Sequence, residues 1–218
     1  MTKRFRRELE TIKKRILTLG SLVEDLVHTA TKAVDQIDPE LAERIIAADH
    51  EVDMMEVEIE EECLKVLALH QPVAVDLRFI ISVVKINNEL ERIGDQVVNI
   101  GQRVRVIAKR PKPPFMFDYS EMGEKVQRML KMSLDSLVNT DVDLAYRVIT
   151  LDDEVDQIKN EAYDKIKQAI KELPERVGYY INLLLISRHL ERISDHATNI
   201  AEEVIYLVEG EIYRHSDN

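Results

Sequence analysis

The sequence predicts an all-α protein, built as two tandem antiparallel three-helix bundles related by internal duplication, with six long helices in all. Three observations lead there. The 218 residues include only 6 Gly and 6 Pro against 33% charged side chains, a balance that suits long amphipathic helices and leaves little material for hairpin turns. Residues 90–100, LERIGDQVVNI, return as residues 190–200, LERISDHATNI, with seven of eleven positions identical. Further upstream, DPELAERIIAADHEVD (38–53) matches DVDLAYRVITLDDEVD (141–156) at nine of sixteen positions, displaced by 103 residues rather than 100. The three-residue difference falls around Pro72 and Pro174, in turns, where a change of length costs least.

The first helix is expected over 4–36. Seven basic side chains crowd residues 3–15 (Lys3, Arg4, Arg6, Arg7, Lys13, Lys14 and Arg15), with Phe5, Leu9, Ile12 and Ile16 at helical spacing. That pattern is an amphipathic helix whose basic face is either solvated, the preferred reading, or set against an acidic partner or a membrane surface. Asp38-Pro39-Glu40 supplies an N-cap, a proline at the first helical position and an acid in the first turn, which starts a second helix over 39–70. The third, over 73–109, carries Val83, Ile86, Leu90, Ile93, Val97, Ile100, Val104 and Ile107 at alternating spacings of three and four, a heptad seam. The Pro-rich linker RPKPPF (110–115) separates it from helices over 119–139 and 141–172. Beyond Pro174 a sixth helix, 175–208, repeats the seam as Leu183, Ile186, Leu190, Ile193, Ala197, Ile200, Val204 and Leu207. The division is thus a first three-helix repeat over 1–112 and a second over 113–218. With only two copies, a pair of packed bundles is a simpler solution than a solenoid.

Several function classes are excluded. A formal charge of −11 and a pI near 5.1 do not suit a nucleic-acid binder, which needs a basic footprint. Cys63 is the only cysteine, so no intrachain disulfide forms and a reducing compartment fits. No apolar run approaches the roughly 18 residues of a membrane span and no apolar leader follows the basic start, so a cytoplasmic location is expected. No two glycines lie closer than Gly94 and Gly101, which rules out a P-loop and a dinucleotide fingerprint. No Glu stands three residues before a His, so the Glu-x-x-His element of di-iron bundles is missing. Cys63 sits on an apolar stripe beside acids that raise a thiol pKa, and Tyr179-Tyr180 aligns with Phe79-Ile80 as core. No constellation of nucleophile and base remains, and an enzyme is not expected.

What packing leaves unexplained is a set of carboxylates. With Leu90 and Ile93 on the seam, Glu91 and Asp95 face away from it, one turn apart; Glu191 and Asp195 do the same. Surface substitutions usually change stability by less than about 0.5 kcal/mol, so the same acids standing in both copies ask for a cause beyond solubility. The preceding helices add Asp49 and Asp53, and Asp152 and Asp156. Asp53 and Glu91 are equidistant in sequence from Pro72, as are Asp49 and Asp95; the second four are symmetric about the 173/174 junction. In an antiparallel hairpin such residues lie level, so each unit should gather four acids. Four carboxylates repel one another unless a counter-charge joins them. A bound hard or borderline cation (Mg²⁺, Mn²⁺, Ca²⁺, Fe²⁺) answers that, and so would a salt-bridge network. Interhelical pairs Glu51 with Arg92 and Glu154 with Arg192, also level, are expected as ion pairs that leave the acid-only sets unanswered. His50 and His196 are expected to be bystanders, since neighbours on a helix point about 100° apart. Asn99 and Asn199 have no role beyond contact outside such a shell.

Two tandem three-helix units and a fourfold Glu/Asp-x-x-x-Asp motif, Asp49/Asp53, Glu91/Asp95, Asp152/Asp156 and Glu191/Asp195, resemble the PhoU family over nearly the whole chain. The resemblance implies a cytoplasmic, non-enzymatic negative regulator of high-affinity phosphate uptake and phosphate-starvation signalling. It implies as partners the ATPase subunit of a phosphate ABC transporter and a phosphate-sensing histidine kinase, with peripheral membrane association through them; the sequence leaves a homo-oligomer open, and its charge already excludes nucleic acid. It also implies metal ions on the acid motifs, Mg, Mn, Fe or Zn. The alternatives are a carboxylate-metal enzyme on a helical bundle and a metal-free helical scaffold whose acids receive basic partner segments.

Overall fold

The computed structural model describes residues 3–211. Six helices follow in order: α1 (Lys3–Gln36), α2 (Pro39–His70), α3 (Ala74–Ala108), α4 (Ser120–Asn139), α5 (Val142–Glu172) and α6 (Val177–Glu209), with a 3₁₀ turn, Pro174–Arg176, before α6. Among the described residues there is no strand. Helix ends follow local chemistry. Asp38 caps α2 by accepting from the amides of Glu40 (2.8 Å) and Leu41 (3.2 Å), and Asp141 caps α5 by accepting from Leu144 (3.0 Å). Gln71, Thr140 and Gly210 close α2, α4 and α6 in the left-handed region.

Every residue of both predicted seams is buried. The two stripes meet: α3 lies antiparallel on α6, and one continuous apolar core runs through both units. His196 Nδ1 donates to Glu89 Oε2 at 2.7 Å, and His189 Nδ1 donates to Gln96 Oε1 at 2.9 Å. Displaced by a hundred residues, Glu89 becomes His189 and Gln96 becomes His196, so the contacts are one contact seen twice about a pseudo-twofold axis near Ile93 and Ile193. Helix α1 flanks α2, α3 and α4, and α4 flanks α5 and α6. Small residues let the helices close up: a Cβ at Gly94 would meet Val52 at 3.1 Å, and one at Gly101 would meet the carbonyl oxygen of Ala42 at 3.1 Å.

The basic opening helix is structural along its apolar stripe, with Phe5, Ile12 and Ile16 buried and Leu9 packed against the core. Tyr179 and Tyr180 are core residues, as their spacing predicts. Cys63 is fully buried, and burial, with Glu62 and Glu60 beside it, pushes its thiol up to about 12. The connection after α3 is docked rather than free. Tyr119 is buried and donates its hydroxyl to the carbonyl oxygen of Leu183 at 2.6 Å. No described helix is long and apolar enough to cross a membrane. Replacing Asp38 with Ala removes an acceptor shared by two amides; urea unfolding of D38A should show a loss of about 1 kcal/mol.

Candidate metal centre on the paired hairpins

The α2–α3 turn at Gln71–Pro72 and the α5–α6 turn at Pro174 fix the height of each helix against its partner, and with it the meeting of the acids. In the first hairpin burial raises the carboxyl pKa of Asp49, and the charges of Asp53 and Asp95 add to it. Burial likewise raises Glu91, followed by Asp95, Asp53 and Glu56. Asp95 is raised by burial and then by Asp53. The second hairpin repeats this. Asp152 is pushed up to about 6, first by burial and then by Asp195, Asp156 and Glu191, with the Ser194 hydroxyl opposing. Asp195 is raised by burial and then by Glu191 and Asp156. The eight acids picked out by spacing thus form two sets of four whose charges repel across the hairpin.

The sets are not equivalent. Lys159 of α5 places its ammonium 2.6 Å from Asp156 Oδ1 and 2.8 Å from Glu191 Oε1. The matching position in α2, displaced by 103, is Glu56, whose pKa is raised by burial, Glu60 and Asp53. One face therefore carries five acids, none ion-paired among the described residues, while the other has drawn in a cation of its own. Neither Glu56 nor Lys159 stands out in the sequence, because the copies differ there; aligning the helices upstream of the turns would have exposed the swap.

The expected ion pairs form differently. Arg92 lies 3.8 Å from Glu89 on its own helix rather than across to Glu51, and Glu154 meets Lys125 of α4 at 2.5 Å rather than Arg192. A partner one turn away, and one on the flanking α4, are nearer than the residue level across the hairpin. His50 is exposed and His196 is engaged with Glu89, so neither histidine is given to the acids. Asn199 gains a role, donating Nδ2 to Glu89 Oε2 at 3.0 Å.

Among the described residues no three Asp, Glu, His or Cys side chains already converge as a ligand set. The fit to a cation rests on the donors: carboxylate oxygens only, mutually repelling, with Asp152 Oδ1 buried and without a hydrogen-bond partner.

The PhoU domain family model matches this chain twice, over residues 16–104 and 119–204. The chain belongs to the PhoU family. It is 37% identical to the phosphate-specific transport system accessory protein PhoU homolog of Pseudomonas aeruginosa, over 99% of this chain and 89% of that one. It is 33% identical to the accessory protein PhoU of Escherichia coli strain K12, over 97% and 88%. The crystal structure of PhoU from P. aeruginosa superposes with a TM-score of 0.91 at 38% identity, covering 95% of this chain and all (100%) of that one. That of the phosphate transport system regulatory protein PhoU from Streptococcus pneumoniae gives 0.84 at 31% identity, over 95% and 98%. PhoU is a non-enzymatic accessory family of helical fold, which removes the carboxylate-metal enzyme from the alternatives.

The raised Asp152 in this PhoU chain sets a sign. A carboxyl whose folded pKa lies near 6, above its ordinary 3.8, favours the folded state while protonated, and that contribution is lost as pH rises from about 4 through 6. In chelator-treated protein, Asp152→Asn should therefore raise the melting temperature at pH 7 by about 2–4 °C, after discounting for partial exposure, and lessen the decline between about pH 4 and 6. A melting curve unchanged from wild type would count against the strained acid face.

Proposed function

We propose that this chain is a cytoplasmic adaptor that restrains high-affinity phosphate uptake and phosphate-starvation signalling. In this reading it links the ATPase subunit of a phosphate ABC transporter to a phosphate-sensing histidine kinase, sits at the membrane face through those partners, and self-associates. The observation that carries it is the near full-length relationship to proteins named for the phosphate-specific transport system. Deleting the gene in its host should switch on phosphate-starvation reporters in phosphate-rich medium. Reporters that stay silent would overturn the reading.

The acid faces supply a second element, binding of Mg, Mn, Fe or Zn ions. Asp49, Asp53, Glu91 and Asp95 would hold the ion in the first unit, with Glu56 alongside; Asp152, Asp156, Glu191 and Asp195 would hold it in the second, against competition from Lys159. Bound cations would neutralise the repelling carboxylates and lock the helix pairs. The absence of three converging ligands among the described residues favours a different use, an acid surface for basic partner segments. Equilibrium dialysis against Mn²⁺ separates them. The expected result is an ion lost in Glu91→Ala/Asp95→Ala, weakened by Glu56→Lys and strengthened in the second unit by Lys159→Glu. At an ion concentration of about 100 times Kd, stability should rise by about 2.7 kcal/mol. Equal metal content in wild type and the Glu91/Asp95 variant would leave the acids to the metal-free use.

A further inference from the structure

The pseudo-twofold axis gives every feature at one end of the α3–α6 seam a counterpart at the other. At the first end, a depression of about 340 Å³ is lined among others by Lys85, Asn88, Glu89, Arg92 and Glu203. Its cations are answered. Lys85 Nζ lies 3.0 Å from both carboxylate oxygens of Glu203, and Arg92 lies 3.8 Å from Glu89. Displaced by a hundred residues, the acids are gone: Glu203 is matched by Arg103, Glu89 by His189 and Asn88 by Arg188, while Arg92 is matched by Arg192. The same place in the fold has changed sign between the copies.

Three guanidiniums result, Arg103 from α3 with Arg188 and Arg192 one turn apart on α6. Among the described residues none of the three forms an ion pair. Arg188 and Arg192 are exposed. Arg103 is half-buried, its Nε buried with no hydrogen-bond partner and one terminal nitrogen at a long 3.5 Å from Gln102 Oε1. Beside Arg188, the one of the three that reaches it, opens a groove of about 470 Å³ lined also by Asn160, Tyr163, Leu184, Leu185 and the Lys159–Glu191 ion pair. His189, between the arginines, has its pKa driven down to about 4 by burial and then by Arg103, Arg192 and Arg188, so it adds no charge at pH 7 but reports theirs.

We propose that Arg103, Arg188 and Arg192 form an anion site at the second end of the α3–α6 seam that takes a dianionic phosphate group, either free inorganic phosphate or a nucleotide's phosphomonoester. Planar guanidinium forks donate in parallel pairs to phosphate oxygens, and three of them exceed what one carboxylate can neutralise. The fourth cation nearby, Lys159, is held by Asp156 and Glu191 and takes no part. The site adjoins the second acid face at Glu191, whose charge Lys159 already answers, and needs no metal.

Isothermal titration of chelator-treated protein at low ionic strength, with inorganic phosphate in one arm and AMP in the other, tests it. Saturable binding of one anion per chain is expected, with the tighter arm identifying the source. Arg188→Glu and Arg103→Gln should each weaken binding by about tenfold or more, the loss of a charge-assisted contact. Arg92→Gln, at the counterpart position, should leave it unchanged. Arg188 is exposed, so its variant should fold, which the far-UV helical signal checks. No saturable binding in either arm, or equal binding by wild type and Arg188→Glu, overturns the proposal. Chelation makes the outcome independent of the cation reading, which stands or falls on the Mn²⁺ dialysis.

Discussion

The antiparallel pairing of α3 with α6 is the constraint on which the rest of the structure depends. A single three-helix unit of about a hundred residues is near the small end of stable domains, and its longest stripe would be left open on one side. The duplicate carries the same stripe. Set antiparallel, the two cover each other as in an isologous dimer interface, with Ile93 and Ile193 near the axis. Once that pairing is fixed, each hairpin has only its outer faces to offer a ligand or a partner. The acids at Asp49, Asp53, Glu91 and Asp95 and their copies lie there.

How much of this was legible in the sequence follows from what kind of signal each feature leaves. The seams, the Asp38 cap and the six helices are local patterns, and period and punctuation give them within a residue or two. The meeting of the acids needed one further idea, symmetry about a turn, and it held because a helical hairpin has one register. The same idea failed for Arg92 and Glu154. Turn symmetry specifies height alone, and says nothing of a competitor on the same helix, Glu89, or on a flanking one, Lys125 of α4. Glu56 and Lys159 escaped for the opposite reason. Searching for repetition finds what two copies share, whereas these matter because they differ.

That difference has an electrostatic logic. Four carboxylates at one level of a hairpin cost free energy through repulsion and partial desolvation, and the raised pKa values of Asp49, Glu91, Asp95, Asp152 and Asp195 are that cost expressed as proton affinity. The second unit relieves part of it from within, at Asp156 and Glu191, since the long stem of Lys159 reaches from α5 to α6 and its ammonium touches both helices, while Asp152 and Asp195 stay raised. The first unit has a further carboxylate where that ammonium would stand. Its relief must come from protons, from screening or from a cation in solution.

Charge inversion along the seam obeys the same reasoning with the sign reversed. Packing holds the apolar stripes to one solution in both copies, while side chains at the rim of the seam are free to diverge. At the first end divergence has left paired charges, with the buried Glu203 answered by the more exposed Lys85. At the second it has left Arg103 partly desolvated with a buried Nε that makes no hydrogen bond. An unsatisfied buried donor on a charged group is destabilising by more than a typical hydrogen bond contributes. No ion pair among the described residues offsets that cost, since Glu191, which lines the groove beside Arg188, is already bound to Lys159. The favourable interaction that would offset it is a contact with an anion from outside the chain, and the arginine fork selects oxyanions with paired acceptors.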